Sequence, residues 1–253
     1  MIRRSSTPGL TAALATIVVL LAACSSDGDT DPSAGDDTPT SAPTQKSPTE
    51  PAPSPTGWTP LPLDGNDGTL APGRYGMTAN GYPDMPHAVV EAPKGFSNFG
   101  GWTLFDEGLD EDAGEFAGMG YWTISQVFRD PCVVDFVEVG NSLQEVAEAL
   151  QEQERSLVTA PVPVTIDGYQ GVYLELQMPN DIDLGECGQY DVWLSDPSGG
   201  RNMQAPGQLD RNWILDVEGD VVVLQVTASP GVPKAAREQL TGMVESVDFI
   251  ARD

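Results

Sequence analysis

The chain has 253 residues, with 12 Lys and Arg against 38 Asp and Glu, and a formal net charge of −26 at pH 7. So acidic a polypeptide cannot displace many counterions from nucleic-acid phosphates, which argues against nucleic acid as a partner. The single histidine argues against multi-histidine metal sites and most histidine-based catalysis. With 40% hydrophobic and 20% charged residues, the chain fits a soluble globular domain with a polar tail rather than a membrane bundle.

The N-terminus has the form of a secretory signal. Arg3 and Arg4 precede an uncharged, apolar stretch from Leu10 to Ala23. This stretch is shorter than the roughly 20 residues that a membrane-spanning helix needs. The pattern therefore favours a signal peptide over a permanent transmembrane anchor.

The apolar stretch ends in Leu21-Ala22-Ala23-Cys24 and resembles the lipobox of bacterial lipoproteins. The resemblance implies that residues 1–23 are removed and that Cys24 receives a diacylglyceryl group and becomes the new N-terminus. Acyl chains such as palmitate, at about 0.8 kcal/mol per buried methylene, would hold the protein on the outer face of the cytoplasmic membrane. The alternative is an ordinary secretory signal cut near Ala23, with Cys24 left as a plain thiol.

Residues 24–68 are predicted to be a disordered tether. After Cys24 the segment is rich in Ser, Thr, Pro, Asp and Gly and has almost no apolar residue. Such a segment cannot bury enough surface to offset the entropy of ordering. Extended at about 3.1 Å per residue, it would reach on the order of 130 Å and lift a domain into the cell wall.

Residues 69–253 change in character to short apolar runs separated by turn residues, which predicts a domain rich in strands. Asp167-Gly168 and Glu218-Gly219-Asp220 have the composition of hairpin turns. The predicted strands are Arg74–Thr78, His87–Glu91, Trp102–Phe105, Tyr121–Phe128, Val162–Ile166, Val172–Gln177, Asp191–Leu194, Trp213–Val217, Val221–Thr227 and Val247–Ile250.

Two helices are predicted among these strands. Ser142 with Glu145 forms a capping box ahead of apolar residues that recur at helical spacing up to Leu150. Pro233 suits the start of a second helix that runs to about Ser246. Because strands dominate, we expect one α+β domain with an antiparallel sheet, curved or split, and about two packed helices.

Apart from Cys24, the chain contains Cys132 and Cys187. An even number of cysteines in an oxidising compartment favours a disulfide. The two residues lack the close Cys-x-x-Cys spacing of redox pairs, so the predicted bond is structural.

The second half of the chain carries a recognisable series of motifs. These are Asp130-Pro131-Cys132, VTIDGYQGVYLEL at 164–176, PGQLDRNWILDVEG at 206–219, and Ser229-Pro230-Gly231 before the final helix. In order and spacing they resemble an extracytoplasmic domain of actinobacterial secreted proteins, lipoproteins and membrane-anchored regulators. The resemblance implies an extracytoplasmic location and a layout similar to PsbP/Mog1-type sandwiches, and it implies no activity. Members of that family often carry histidines where this chain has Val133 and Met203.

Asp210 and Arg211 are neighbouring opposite charges just before an apolar strand. The guanidinium could anchor an anionic ligand. We favour the alternative, an internal salt bridge or backbone cap at the start of the strand, because paired charges at strand ends are mostly structural.

No catalytic residue, metal ligand or cofactor site can be assigned from the sequence. His87 is the one histidine that could activate a serine, and no Gly-x-Ser-x-Gly motif accompanies it. Carboxylates are too numerous for any pair to indicate glycoside hydrolysis. Two acidic segments lack the spacing of a calcium loop, so solvated acidic loops are expected. They contain Asp106, Glu107, Asp110, Glu111, Asp112 and Glu115, and Asp181, Asp183 and Glu186.

Exposed aromatic side chains beside carboxylates would suit glycan binding, and the candidates are Trp58, Trp102, Trp122, Trp193 and Trp213. Trp122, Trp193 and Trp213 lie in predicted strands, where burial in the core is the simpler interpretation. Trp58 lies in the predicted tether and is expected to be exposed.

Two classes of function remain. The first is a non-enzymatic cell-surface lipoprotein, held at the bilayer by acylated Cys24, whose domain binds an envelope protein, a wall polymer or a small ligand. The alternative is a hydrolase that acts on the envelope with a carboxylate pair or His87. The enzyme would need a concave pocket with converging polar groups, whereas an apolar patch or groove suffices for a binding module.

Overall fold

The computed structural model of the protein describes residues 57–63, 66–195 and 199–251. Cys24, the predicted signal peptide and residues 24–56 of the predicted tether lie outside the described residues. Within the described ranges, every helix is too short or too polar to cross a bilayer.

Strands make up most of the regular structure. The strands are β1 (Thr59–Pro60), β2 (Asn66–Thr69), β3 (Gly73–Met77), β4 (His87–Ala92), β5 (Phe96–Phe99), β6 (Thr103–Asp106), β7 (Ala117–Thr123), β8 (Gln126–Phe128), β9 (Phe136–Glu138), β10 (Leu157–Val158), β11 (Val162–Ile166), β12 (Tyr169–Gln177), β13 (Tyr190–Ser195), β14 (Gly199–Met203), β15 (Leu209–Val217), β16 (Asp220–Ala228) and β17 (Asp248–Ile250). The helices are α1 (Leu143–Gln151), α2 (Leu184–Cys187) and α3 (Lys234–Glu245), with a 3-10 turn at Glu111–Ala113.

The long hairpin of β15 and β16 forms the middle of the fold. Its turn residues Glu218 and Gly219 have φ values of 57° and 95°, the left-handed conformations that a two-residue type I′ turn requires. The turn fixes the register of the nine residue pairs between the two strands. Alternate side chains then reach opposite faces, with Trp213 and Leu215 on one face and Ile214 on the other.

Three sheets are built around this hairpin. The central sheet has the strand order β10-β12-β15-β16-β7-β6-β5-β2, and β11 also pairs with β12. The first flanking sheet has the order β1-β3-β4-β17, and the second flanking sheet has the order β14-β13-β8-β9. Among the described strands, β1 with β3 is the parallel pair and the others are antiparallel.

A hydrophobic core covers each face of the central sheet. On the first face, Tyr121 and Leu224 belong to a core shared with α3 and the first flanking sheet. On the second face, Trp122 and Val223 belong to a core shared with α1 and the second flanking sheet. Neighbouring residues of one strand thus serve different cores, and the expected α+β class is confirmed.

Both predicted helices are present. Ser142 is the N-cap of α1, and its Oγ accepts a hydrogen bond from the Glu145 N–H at 3.5 Å. The apolar face of α1 buries Leu150 completely, and α3 buries Leu240 in the same way. Pro233 is the N-cap of α3 rather than its first residue.

The strands form three sheets where one antiparallel sheet, curved or split, was expected. The predicted strand Tyr121–Phe128 is two strands, because the chain leaves the central sheet after Thr123 and enters the second flanking sheet at Gln126. The strands β1, β2, β5, β9, β10 and β14 and the short α2 were not predicted. These elements have two to five residues each, too few for an apolar period to be recognised.

The folded domain also begins before Thr69, so the predicted end of the tether is corrected. β1 pairs with β3, and Leu61 is only 3% exposed. Trp58, expected to be exposed, is half-buried, and its ring contacts Gly76, where a Cβ would be 2.3 Å from the ring. Apolar side chains in a polar segment gained enough burial here to order it.

The predicted disulfide between Cys132 and Cys187 is present, with Cα atoms 4.7 Å apart. It joins the loop between β8 and β9 to α2, two segments separated by 55 residues in the sequence. Because α2 has only four residues, a covalent link compensates for its small buried surface.

Removing this bond should lower the free energy of unfolding by about 4 kcal/mol, because the unfolded chain loses a long closed loop. The comparison is wild type against Cys132→Ser/Cys187→Ser in urea denaturation, each with and without reductant. Reductant should destabilise wild type and leave the variant unchanged. Alkylation of both cysteines in denatured, unreduced wild type would contradict the bond.

Candidate functional site

Two glycines in β7 open a gap on the second face of the central sheet. Gly118 lies between Phe105 and Thr227 across the sheet, and Gly120 lies in the next row. A Cβ on Gly118 would be 2.7 Å from the Leu104 carbonyl oxygen. Glycine inside a strand often marks a close approach of another group. Here the missing side chains make room for the ring of Phe105 at Gly118 and for that of Trp122 at Gly120, and both rings border a space above the sheet.

Aromatic side chains form one side of this space. Trp102 contacts Phe99 edge to face with ring centroids 5.2 Å apart, and its centroid lies 6.4 Å from that of Trp122. The turn before β6 holds Trp102 in place, because its ring lies over Gly100, which has a φ of 62° and no room for a Cβ. Phe99 is 47% exposed, so this aromatic wall reaches the surface.

A buried ion pair forms the opposite side. Arg201 of β14 binds Asp210 of β15 in a bidentate manner, Nε to Oδ2 and Nη2 to Oδ1, both at 2.9 Å. The Asp210 side chain is completely buried and that of Arg201 is 9% exposed. Two parallel charge-assisted hydrogen bonds give this pair a defined geometry.

Neighbouring amides complete the hydrogen bonding of Asp210. Gln208 donates to its Oδ1 at 3.2 Å and Gln225 donates to its Oδ2 at 2.9 Å. Thr227 Oγ1 accepts hydrogen bonds from Arg201 at 2.8 Å and from Gln208 at 2.9 Å. The carboxylate therefore accepts four hydrogen bonds, which is its full capacity, and it keeps no free lone pair for acid–base chemistry.

Between these two sides lies a pocket of about 320 Å³. Its lining combines Phe99, Trp102, Phe105, Phe116 and Trp122 with polar groups from β6, β14 and β16. Among the residues that the structure describes, the lining contains no carboxylate and no histidine. Its one cationic side chain, Arg201, is neutralised by Asp210.

Four residues of this lining supply polar side-chain atoms to the pocket, and the Nε1 atom of one of them is fully buried without a hydrogen-bond partner within the described chain. Trp122 Nε1 is fully buried and unpaired, and it lies above Gly120, 2.3 Å from where a Cβ would be. Gln225 donates to Asp210 and Asn212, which leaves its Oε1 as an acceptor. The side chains of Asn80 and Thr103, 4% and 7% exposed, complete the set. Buried polar groups are normally paired, so the unpaired Trp122 Nε1 beside three further polar side chains points to a ligand.

Asp210 and Arg211, the neighbouring charges singled out in the sequence, lie on opposite faces of β15. Adjacent residues of β15 face opposite sides of the sheet, so Arg211 lies 3.3 Å from Glu175 and donates to Thr241 at 3.0 Å. Glu175 also accepts a hydrogen bond from Tyr173 at 2.6 Å. Burial, followed by this hydrogen bond, raises the pKa of the Tyr173 phenol. The favoured internal salt bridge at Asp210 does exist, but its partner is Arg201.

His87 lies outside the pocket. It belongs to β4 in the first flanking sheet, and its ring packs against Trp58 with centroids 4.9 Å apart. Its Nδ1 is 3.4 Å from the Met77 carbonyl oxygen. His87, the catalytic base considered from the sequence, therefore lies away from the candidate site.

The two acidic segments use carboxylates as caps. Asp110 Oδ1 accepts a hydrogen bond from the Ala113 N–H at 3.2 Å at the 3-10 turn, and Asp183 caps α2 through the Gly185 N–H at 2.8 Å. In residues 57–63, 66–195 and 199–251, no group of three or more Asp, Glu, His or Cys is arranged to hold a metal ion.

The tryptophans divide between core and pocket. Trp193 and Trp213 are 0% and 5% exposed and belong to the two cores, as expected for strand residues. Trp122 is also buried, but it lines the pocket as well. Its role could have been inferred from Gly118 and Gly120, since glycines two residues apart in a strand leave one face open.

No protein-family model matches the chain, and no curated protein matches it. Among solved structures, the crystal structure of LpqN, involved in cell envelope biogenesis of Mycobacterium tuberculosis, is similar with a TM-score of 0.37 and 10% sequence identity. The similarity covers 68% of this chain and 88% of that chain. A likeness this weak assigns neither a family nor a function.

Replacing Asp210 by Asn should lower the free energy of unfolding by about 3–5 kcal/mol, because the Arg201 charge stays buried without a counter-ion. The matched control is Glu175→Gln, which breaks the half-exposed pair with Arg211 and should cost about 0–1 kcal/mol. Chemical denaturation of both variants measures the difference. Equal losses would contradict the assignment of Arg201 as the partner of Asp210.

Proposed function

We propose that the protein is a lipid-anchored cell-surface protein whose domain binds a small, uncharged ligand in the pocket between Trp102 and Gln225. The observation that carries the proposal is the buried, unpaired Trp122 Nε1 in a pocket that combines three further polar side chains with an aromatic wall. Aromatic residues supply apolar contact, and a few polar groups fix the orientation of a ligand. A pocket of about 320 Å³ is within the range of small-molecule sites.

The electrostatics of the lining support an uncharged ligand. The Arg201 guanidinium gives its hydrogens to Asp210, Thr227 and the Asn202 carbonyl group. An anionic ligand would have to compete with Asp210 for this cation, in a chain with a net charge of −26. A cationic ligand finds no carboxylate in the described lining.

The same lining supports binding rather than hydrolysis. A hydrolase of the alternative type needs two carboxylates or a histidine at the substrate. The described lining contains neither, His87 is packed under Trp58, and the carboxylate of Asp210 is saturated. We therefore propose a binding module that is not an enzyme.

The proposed location rests on the sequence. The lipobox-like segment ending at Cys24 provides an anchor in the bilayer, and the Pro- and Ser-rich tether provides reach into the wall. The Cys132–Cys187 disulfide is in keeping with an oxidising compartment. We also propose a layered layout of the PsbP/Mog1 type, in which the central sheet is the middle layer.

The pocket can be tested with N-phenyl-1-naphthylamine, an uncharged fluorophore that brightens in apolar sites. Wild type should bind it, and Trp102→Ala should bind it about tenfold more weakly because the aromatic wall is lost. Trp58→Ala is the matched control, since it removes a half-buried tryptophan away from the pocket, and it should bind like wild type. Equal binding by all three proteins would contradict the pocket as the site.

The proposed lipid anchor at Cys24 can be tested by substitution. Cys24→Ala, expressed in a bacterium that processes lipoproteins, should leave the membrane fraction or accumulate as an unprocessed precursor, because no acyl chains can be attached. Fractionation and mass spectrometry of the N-terminus measure this. A variant distributed between membrane and medium as wild type would rule out lipidation at Cys24.

A further inference from the structure

We propose that the ligand of this pocket is a neutral sugar ring, either free or at the end of a glycan. The inference rests on the proposed function and specifies its ligand class. It follows from the hydrogen-bonding capacity, the aromatic surface and the charge of the lining taken together.

The polar groups of the lining can pair with both donors and acceptors of a ligand. Trp122 Nε1 can only donate, and Gln225 Oε1 can only accept. The amide of Asn80 and the hydroxyl of Thr103 can do both. Sugar hydroxyl groups donate and accept at adjacent ring positions, so one sugar can satisfy the whole set. An apolar ligand would leave the buried Trp122 Nε1 unpaired and would offer no hydrogen bond to the other three groups, which lowers its affinity.

The four groups are close enough for one ring to reach several of them. Thr103 and Gln225 flank Gly120 as its direct neighbours on the two adjacent strands. Trp122 Nε1 lies above the same glycine, and the backbone N–H of Asn80 donates to the Tyr121 carbonyl at 3.1 Å. The polar groups therefore surround the floor of the pocket at Gly120.

The aromatic wall suits the apolar face of a sugar ring. The C–H groups of a pyranose carry partial positive charge, and the face of an indole carries partial negative charge. Trp102 is held over Gly100, so its ring is already oriented before a ligand binds. A rigid aromatic surface costs little conformational entropy on binding.

The charge of the pocket selects neutral sugars. A uronic acid would place a carboxylate near Asp210, whose partner Arg201 is already engaged. An amino sugar would place an ammonium group where the described lining offers no carboxylate. Both charged sugars would lose hydration without gaining a counter-ion.

The experiment compares compounds with a six-membered ring on the full-length protein. The probes are methyl glycosides of glucose, mannose and galactose, with glucuronic acid and glucosamine as charged counterparts and cyclohexylmethanol as an apolar one. Intrinsic tryptophan fluorescence and saturation-transfer NMR measure binding. At least one glycoside should bind, and the charged and apolar counterparts should bind about tenfold or more weakly.

Two isosteric variants identify the site. Thr103→Val removes one hydroxyl from the pocket and should weaken glycoside binding about fivefold. Thr123→Val is the matched control, because Thr123 is equally buried with an unpaired Oγ1 but does not line the pocket. It should leave glycoside affinity unchanged. Equal effects of the two variants would overturn the assignment.

The outcomes separate the two proposals. Glycoside binding that depends on Thr103 supports the inference, and comparing soluble glycosides with an insoluble neutral glucan tells a free sugar from a polymer end. Binding of N-phenyl-1-naphthylamine or cyclohexylmethanol without any glycoside overturns the sugar ligand and leaves the binding pocket standing. Equal binding of glucuronic acid also overturns it. Binding of no probe at all contradicts both proposals.

Discussion

The buried ion pair between Arg201 and Asp210 is the interaction on which the site depends. A carboxylate with no exposed surface costs several kcal/mol to desolvate, and only a well-oriented cation with further donors offsets that cost. Arg201 comes from β14 in the second flanking sheet, whereas Asp210 and Gln225 come from the central hairpin. The pair therefore ties β14 to the central sheet and fixes the polar side of the pocket opposite the aromatic side.

The pair also makes the pocket polar without making it charged. The opposite charges cancel locally, and Gln208, Gln225 and Thr227 each make a hydrogen bond with a member of the pair. What remains toward the empty space is a set of neutral donors and acceptors. In a chain with a net charge of −26, this gives a site whose selectivity depends on hydrogen bonding and shape rather than on attraction between charges.

The fold could be predicted where the sequence has local signals. Glu218-Gly219 specifies a type I′ turn, and the apolar runs on either side give β15 and β16. Ser142 marks the start of α1 because its side chain caps a free backbone N–H. Short edge strands such as β14, with the sequence GGRNM, have no such signal, because they form only when another strand supplies the partner.

The part of the site that lies on β15 and β16 could be predicted from the sequence in the same way. The type I′ turn places Asp210 opposite Thr227 and Asn212 opposite Gln225. Alternation then puts all four polar side chains on one face of the hairpin. Side chains on a buried face of a strand are normally apolar. Polar side chains on such a face depart from this pattern, and departures of this kind are expected at functional sites. Arg201 could not be found by this argument, because its contact with Asp210 is set by the packing of two sheets and not by any register that a turn defines.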